Sequence, residues 1–535
     1  MKVLSIIPAR AGSKGIPNKN IRLIHGHPMI YYSIQNALSS EYITDVVIST
    51  DSYEVKILAE QMGTRCRWRR NELCGDDITL DAVIYDVIES EQKHYDYIIT
   101  MQPTSPTLQV ETLDNAIKYT IDNGLDTVIS ATNQPHLSWS EKDGKKIPNY
   151  KRRLNRQFLP ANYIETGAFV ISKYDVITEV SRIGKKVDVF ELSQEEAIDV
   201  DTFIDMYAAE EILSKKKIAI YVNGNQTRGT GHVYRALELA DEFLIKPDIY
   251  YDRNQTERYI FGETTHNLVP VNGIVELFHI VKEKQYDIFI NDILSTSLDY
   301  MIGLRSVLPL NSKIVNFEDD GEGINEADIV FNALNKDDVV GKIYGGEKYY
   351  IAPKIFLMYQ PIQIKKQINN VFICFGGADP QNYTERLFNI IKKEKYVEYD
   401  FHIALGRAKE NVDELMKYNE IPNIHVCFDV KNMPDMMSKC DIAITSRGRT
   451  AYELAMLGIP SVVLSQNERE EMHGFVSETN GFLNMGISPT DYMIESTLDY
   501  YLAMPKLERE RIQEKLLRND LKNGRERVSK LLNNL

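Results

Sequence analysis

The stretch Ser5-Ile6-Ile7-Pro8-Ala9-Arg10-Ala11-Gly12-Ser13-Lys14-Gly15-Ile16-Pro17-Asn18-Lys19-Asn20 runs from a short apolar strand into a loop carrying glycine, serine and three cations. A strand that feeds such a loop is the opening of an α/β domain built for a nucleoside triphosphate. Gly12 and Gly15 let the backbone turn and approach an anion, while Arg10, Lys14 and Lys19 offset the charge of a phosphate chain. The GxxxxGK[ST] pattern of a Walker loop is absent. Taken alone, the segment also reads as a basic surface loop after a first strand, so the rest of the chain has to decide.

Further segments recur in order. Ser49-Thr50-Asp51 follows a Val-Val-Ile strand, Arg69 precedes Glu72-Leu73-Cys74, and Gln102-Pro103-Thr104-Ser105-Pro106 follows another apolar run. Arg156-Gln157 precedes Thr166-Gly167-Ala168-Phe169, and Asp199-Val200-Asp201 comes last. Over about residues 1–215 this pattern resembles the N-acylneuraminate cytidylyltransferases, or CMP-sialic acid synthetases. The resemblance implies a Rossmann-like nucleotidyltransferase domain that joins CTP to a nonulosonic acid. It assigns catalysis to Arg10 and Lys19, and the nucleotide to Ala9, Gly12, Ser13, Asn20, Arg69 and Thr79. The sugar goes to Gln102, Arg156 and Gln157, and a metal to Asp199 and Asp201. Members of this family are commonly dimers, so a homodimer through the N-terminal domain is expected. A cytidylyltransferase for the eight-carbon acid Kdo is the competing type, but the Gly-Ser-Lys loop, the Gln-Pro-Thr-Ser-Pro run and Asp-Val-Asp favour the neuraminate type.

The chemistry of these positions stands without the resemblance. A hydroxyl oxygen must attack the α-phosphorus in line while pyrophosphate leaves, so the site has to neutralise charge and align the two groups. Asp199 and Asp201 stand two residues apart, which on an extended strand turns both carboxylates to one side, ready to share Mg2+. Gln102 can bond neutral sugar groups, and Arg156 can pair in bidentate fashion with a sugar carboxylate, although Arg152 and Arg153 beside it also make a plain basic surface. Two departures bear on the sugar. Thr107-Leu108 stands where the family continues Leu-Arg, and Tyr163-Ile164-Glu165-Thr166-Gly167 where it has Tyr-Arg before Asn-Gly. A cation is missing at each place, so a nine-carbon acid other than ordinary N-acetylneuraminate is expected.

At 535 residues the chain is too long for a single core. Hydrophobic residues at 43% and charged residues at 26% are ordinary for a globular protein, and a net charge of −15 argues against nucleic-acid binding. Five widely spaced cysteines, without a CxxC, indicate reduced thiols and a cytoplasmic location. Cys374 reads as a buried core residue. No signal peptide and no apolar run of membrane-spanning length is visible.

The alternation of strands and helices restarts at Ile218 after Ser214-Lys215-Lys216-Lys217, which implies domains over 1–215, 218–360 and 366–535, the last ending in a charged helix with Ile512, Leu516 and Leu521 on its apolar stripe. Strands are expected at 287–291, 313–317, 329–332, 371–375, 401–405, 424–428, 442–445 and 461–464. Three glycine loops punctuate this half: Gly229-Thr230-Gly231-His232, Phe375-Gly376-Gly377-Ala378-Asp379-Pro380 and Thr445-Ser446-Arg447-Gly448-Arg449-Thr450. The first opens a helix and suits a diphosphate.

These loops resemble those of GT-B proteins, in which a UDP-sugar lies between two Rossmann-like domains. GTGHxxR, GGADP and YELAxLGxP occur in the order found in the UDP-2,4-diacetamido-2,4,6-trideoxy-β-L-altropyranose hydrolase of pseudaminic acid biosynthesis. That likeness implies His232 as general base for water, with Gly229, Gly231, Gly376, Gly377, Thr450 and Glu453 on the nucleotide and Asn223 and Asn467 on the sugar. Tyr221-Val222-Asn223 replaces the family's Arg-x-Asp, so an acid expected near the sugar becomes an amide. His473 is a further candidate for the cleft. Three readings stay open for this half: hydrolysis of a UDP-amino sugar, which leads; a glycosyltransferase; and a binding module without catalysis. With the first half, the leading reading is a bifunctional enzyme of pseudaminic or legionaminic acid formation.

Overall fold

A computed structural model describes residues 1–12, 15–75, 77–225, 230–243, 245–334 and 339–535. The chain divides into two compact units, Met1–Lys215 and Lys216–Leu535.

In the first unit the strand Val3–Pro8 is buried at every position, because it sits inside a mixed, mainly parallel sheet with parallel neighbours on both sides. It pairs in parallel with Asp45–Thr50 on one side and Tyr97–Met101 on the other. Arg65–Trp68 extends the sheet beyond the former. Beyond the latter lie Tyr163–Lys173, antiparallel to both its neighbours, then Thr127–Asn133 and Val187–Glu191. Val3, Ile7, Ile48, Ile99, Phe169 and Ile171 share the main core with the helices Met29–Ser39 and Val110–Asp122.

The second unit contains two α/β sheets. In the first the order is Asn267–Val271, Asp248–Asp252, Ile218–Val222, Ile288–Asp292, Lys313–Phe317, Ile329–Asn332, with Ile343–Gly345 and Val339–Val340 added at the end. In the second it is Ile424–Phe428, Asp400–Leu405, Asn370–Cys374, Ile442–Ser446, Ser461–Ser465, Phe482–Ile487. Counted along the chain, the six core strands of each follow the order 3-2-1-4-5-6, all parallel, and each sheet therefore reverses direction beside its first strand. Ligand clefts form at the carboxyl ends of strands at such a reversal.

The chain's last helices bind the two halves together. Leu516, on the helix Lys506–Leu517, is buried in the second half, and so is Leu521, which lies past the end of that helix rather than on its stripe. The following helix, Gly524–Asn533, buries Val528 and Leu532 in the core of the first half. Gly524 makes this return possible, because any Cβ there would overlap the Tyr350 carbonyl. Two Rossmann-like halves with a final helix crossing back to the first make the GT-B arrangement. Among the described residues no helix is long and apolar enough to cross a membrane.

Candidate functional sites

The first site lies at the edge of the first sheet where Val3–Pro8, Asp45–Thr50 and Tyr97–Met101 end and the antiparallel strand Tyr163–Lys173 begins. Ala9 N donates to Ser49 O at 2.9 Å and Ala11 N to Asp51 Oδ1 at 2.6 Å, so the loop leaves the sheet on a fixed path. Asn20 Nδ2 donates to Arg10 O at 3.0 Å, which gives one amide donor the task of holding the loop. Arg69 is buried and donates to Ser49 O at 2.9 Å. Lys19 reaches across to Asp201, Nζ to Oδ1 at 2.9 Å.

Asp199 and Asp201 are not on a strand. They occupy an extended stretch before the helix Phe203–Leu213, whose Thr202–Asp205 capping box holds the entry. Val200 between them is fully buried and donates to Thr104 O at 2.8 Å, and that anchor sets the alternation a strand was expected to provide. Burial, opposed by the Thr104 hydroxyl and aided by the Asp201 charge, holds the Asp199 carboxyl above the usual carboxylate range. Its Oδ1 is buried without a hydrogen-bond partner among the described residues.

Gly167, at φ +74, brings Asp199 and Gln102 together. A Cβ at this position would lie 3.0 Å from Gln102 Nε2 and 3.5 Å from Asp199 Oδ2. Gly15 plays a like role, since its Cβ would come to 2.7 Å from Asp201 O, whereas among the described residues nothing stands within 4 Å of one at Gly12. An unpartnered buried carboxylate oxygen beside a second carboxylate fits a hard divalent cation that takes its other ligands from water and phosphate. Among the described residues no third His, Cys, Asp or Glu completes a cage.

Thr79, Arg156 and Gln157 are exposed, and among the described residues no hydrogen bond or ion pair ties their side chains to this group. Ser13 and Gly229 lie outside the described residues.

The second site is a cleft of about 420 Å3 between the two halves of the second unit, lined in part by His232, Gly376, Gly377, Thr450, Glu453 and Asn467. The glycine loops meet one another here. A Cβ on Gly377 would overlap Thr230 Oγ1, and one on Gly231 would lie 2.8 Å from Arg449 Cδ. Glycine at these positions therefore brings the loops of opposite halves together.

His232 opens the helix Gly231–Ala240 and is buried. Its Nδ1 is bonded to Asp292 Oδ1 at the end of the strand Ile288–Asp292. Arg235 Nε donates to Asp292 Oδ2 at 2.7 Å, and its guanidinium also pairs with Glu318. Burial opposes ionisation of both acids, but Arg235 and then His232 hold them below the ordinary carboxylate range. Nδ1 also lies 3.0 Å from Arg235 Nη2, which only donates; the contact with Asp292, which only accepts, calls for the proton on Nδ1, and in the neutral ring of that tautomer Nε2 is left as an acceptor. Asp292, Arg235 and Glu318 are the residues the sequence reading missed. Asp292 could have been found as the acid closing an apolar parallel strand, Ile288–Asp292, the position where such sheets place their sites.

Asn223 stands elsewhere. Its Oδ1 accepts from Asp252 N at 2.8 Å and from Thr256 Oγ1 at 3.2 Å, which holds the neighbouring strand and leaves the side chain out of the cleft lining. Its replacement of an acid therefore leaves His232 oriented. Asn467 caps the short helix Glu468–Glu471, accepting from Glu470 N at 3.0 Å. Glu453, half-buried on the cleft wall, has its carboxyl pushed up to about 7 by burial.

Residues 4–142 match the family model described as Cytidylyltransferase. The chain is 31% identical over 221 residues to the pseudaminic acid cytidylyltransferase of Campylobacter jejuni, covering 39% of this chain and 95% of that protein. It is 25% identical over 487 residues to a Helicobacter pylori protein named as both pseudaminic acid cytidylyltransferase and UDP-diacetamido-trideoxy-altropyranose hydrolase, over 87% of this chain and 88% of that one. An uncharacterized protein of Methanocaldococcus jannaschii matches at 29% over 276 residues, 47% of this chain, and the chain spans 56% of its length. Through its first unit, the chain belongs to the cytidylyltransferase family.

Proposed function

We propose that the chain is a bifunctional enzyme of nonulosonic acid formation, of the pseudaminic or legionaminic kind. Its first unit transfers CMP from CTP to a nonulosonic acid and releases pyrophosphate; its second hydrolyses a UDP-amino sugar and releases UDP. The observation that carries the reading is the pairing of Lys19 with Asp201 next to Asp199 and Gln102. It puts a cation, two carboxylates and a neutral sugar-bonding amide around one loop. The two activities in the name of the Helicobacter pylori relative, which matches across both units, support the second half.

In the first unit the sugar-acid hydroxyl oxygen bonds to the α-phosphorus while the bond to pyrophosphate breaks. Arg10 and Lys19 offset the charge on the phosphates, and Gln102 orients the sugar. Asp199 and Asp201 would hold Mg2+, which when bound neutralises triphosphate charge. In the second unit, water bonds to the anomeric carbon, the carbon–oxygen bond to UDP breaks, and Nε2 of His232 takes the water's proton. The N-terminus of the helix Gly231–Ala240 and the Gly376–Gly377 loop serve the diphosphate, and Glu453 serves the ribose. A homodimer through the first unit and a cytoplasmic location belong to the same proposal.

The test is mass spectrometry of the protein with CTP, Mg2+ and a panel of nonulosonic acids, beside UDP-diacetamido sugars in water alone. A CMP-sugar and free UDP are the expected products. Failure to form any CMP-sugar overturns the first assignment. UDP release only on adding an acceptor makes the second half a transferase.

A further inference from the structure

His473 lies in the same cleft as His232, on the loop after the short helix Glu468–Glu471, and it is buried. Its backbone is held on both sides. Arg447 donates to His473 O at 2.8 Å while Glu471 grips that arginine at 3.1 Å. The next residue, Gly474, donates through its N–H to Leu334 O of the opposite half at 2.8 Å. The backbone of His473 is therefore anchored at the seam between the halves. The imidazole also acts on the Arg447 backbone, yet its Nδ1 is buried with no hydrogen-bond partner among the described residues.

A buried polar atom left unpaired is costly. A group that enters the cleft has to supply the partner. Resting on the hydrolase reading of this cleft, we infer that His473 is a substrate-binding residue that hydrogen-bonds the sugar of the UDP-sugar.

Two observations select the sugar over the diphosphate. Burial pushes the His473 imidazole down to about 4, so the ring is neutral at physiological pH. A diphosphate anion would favour a charged ring, and the glycine loops already offer it backbone N–H groups. The buried, ionised Glu318 also acts on His473, as it does on His232, which places the same acid close to both rings. The reacting sugar belongs near His232. A neutral imidazole carries one donor and one acceptor, and an acylamino or hydroxyl group supplies both kinds, so either tautomer is satisfied.

The experiment compares the unaltered protein with His473→Ala and His473→Asn, all checked for an unchanged melting profile. Calorimetric titration measures binding of UDP alone and of a UDP-diacetamido sugar, the latter with His232→Ala also present in every protein to prevent turnover. His473→Ala should weaken the UDP-sugar about ten-fold or more while leaving UDP alone unchanged, and His473→Asn should recover part of the loss. Equal weakening of UDP and UDP-sugar would put the ring on the nucleotide and overturn the inference, as would no change in either. Because binding is read directly, the result stands apart from whether the unaltered protein releases UDP, which tests the hydrolase reading itself.

Discussion

His232 and Asp292 are joined through Nδ1 and Oδ1 although sixty residues separate them in the chain. The histidine opens a helix and the aspartate closes the strand Ile288–Asp292, so one parallel-sheet edge delivers both base and orienter. Asp292→Asn keeps the shape but can present an N–H to Nδ1, which moves the imidazole proton onto Nε2 and removes the acceptor that water needs. UDP release should fall by about 10²-fold or more, while titration shows UDP alone binding as before. Activity within a few-fold of the unaltered protein would remove His232 from the role of base.

Asp201 is held by Lys19 at 2.9 Å, and Asp199 keeps a buried oxygen without a partner. Asp199→Asn and Asp201→Ala should each abolish CMP transfer, read as CMP-sugar formed from CTP, and leave UDP release at its original rate. Chelation of divalent cations should do the same, with Mg2+ restoring transfer. Loss of both activities in either variant would contradict two separate sites.

Much of the fold was legible because its strands are short apolar runs bounded by turns; Lys313–Phe317, Ile329–Asn332 and Ile424–Phe428 have the bounds expected from the residues alone. Other strands were not, among them Asn267–Val271, Asp248–Asp252 and Phe482–Ile487. Asn267–Val271 contains Pro270, which a central strand would not tolerate and which this one accepts because it lies at the sheet edge. Asp248–Asp252 is a three-residue apolar run closed by acids at both ends. The site divided along similar lines. Loops that carry their chemistry in one stretch could be read, but the tie from Arg235 to Asp292 and Glu318 joins segments 57 and 83 residues apart. Asn223 misled for the same reason: a substitution next to the expected acid says nothing about an acid arriving from another strand.

Gly15 and Gly12 look alike in the loop and differ in what surrounds them. A Cβ on Gly15 would press to 2.7 Å on the Asp201 carbonyl, a backbone atom that cannot swing aside, while one on Gly12 meets nothing within 4 Å among the described residues. Gly15→Ala should therefore push Asp201 from Lys19 and cut kcat/KM for CMP transfer by at least about ten-fold, a cost of roughly 1.4 kcal/mol. Thermal melting of the two variants separates a local from a general effect. Gly15→Ala should lower Tm and Gly12→Ala leave it unchanged.

Glu453 makes stability depend on pH in a direction opposite to that of a paired carboxylate. Burial lifts its carboxyl to about 7, with Arg449 pulling the other way. The unfolded chain releases this proton near ~4.3. Between these values the folded state holds a proton that the unfolded state has lost, so the contribution is complete below about 4.3, falls as pH rises through the window, and levels off above about 7. Glu470, also pushed up to about 7 by burial, acts in the same sense. His473 acts in the opposite sense, because its imidazole is pushed down to about 4 and stability from it grows as pH rises toward ~6.5. The total slope is therefore a mixture, and the informative quantity is the difference between the protein and Glu453→Gln. Glutamine stays neutral at every pH, so the variant should gain on the unaltered chain by on the order of 3 kcal/mol between pH 5 and pH 8. Urea midpoints of the second unit at both pH values, in the absence of nucleotide, measure that gain. A gap between the two proteins that is the same at pH 5 and pH 8 would mean that Glu453 is already ionised in the folded cleft.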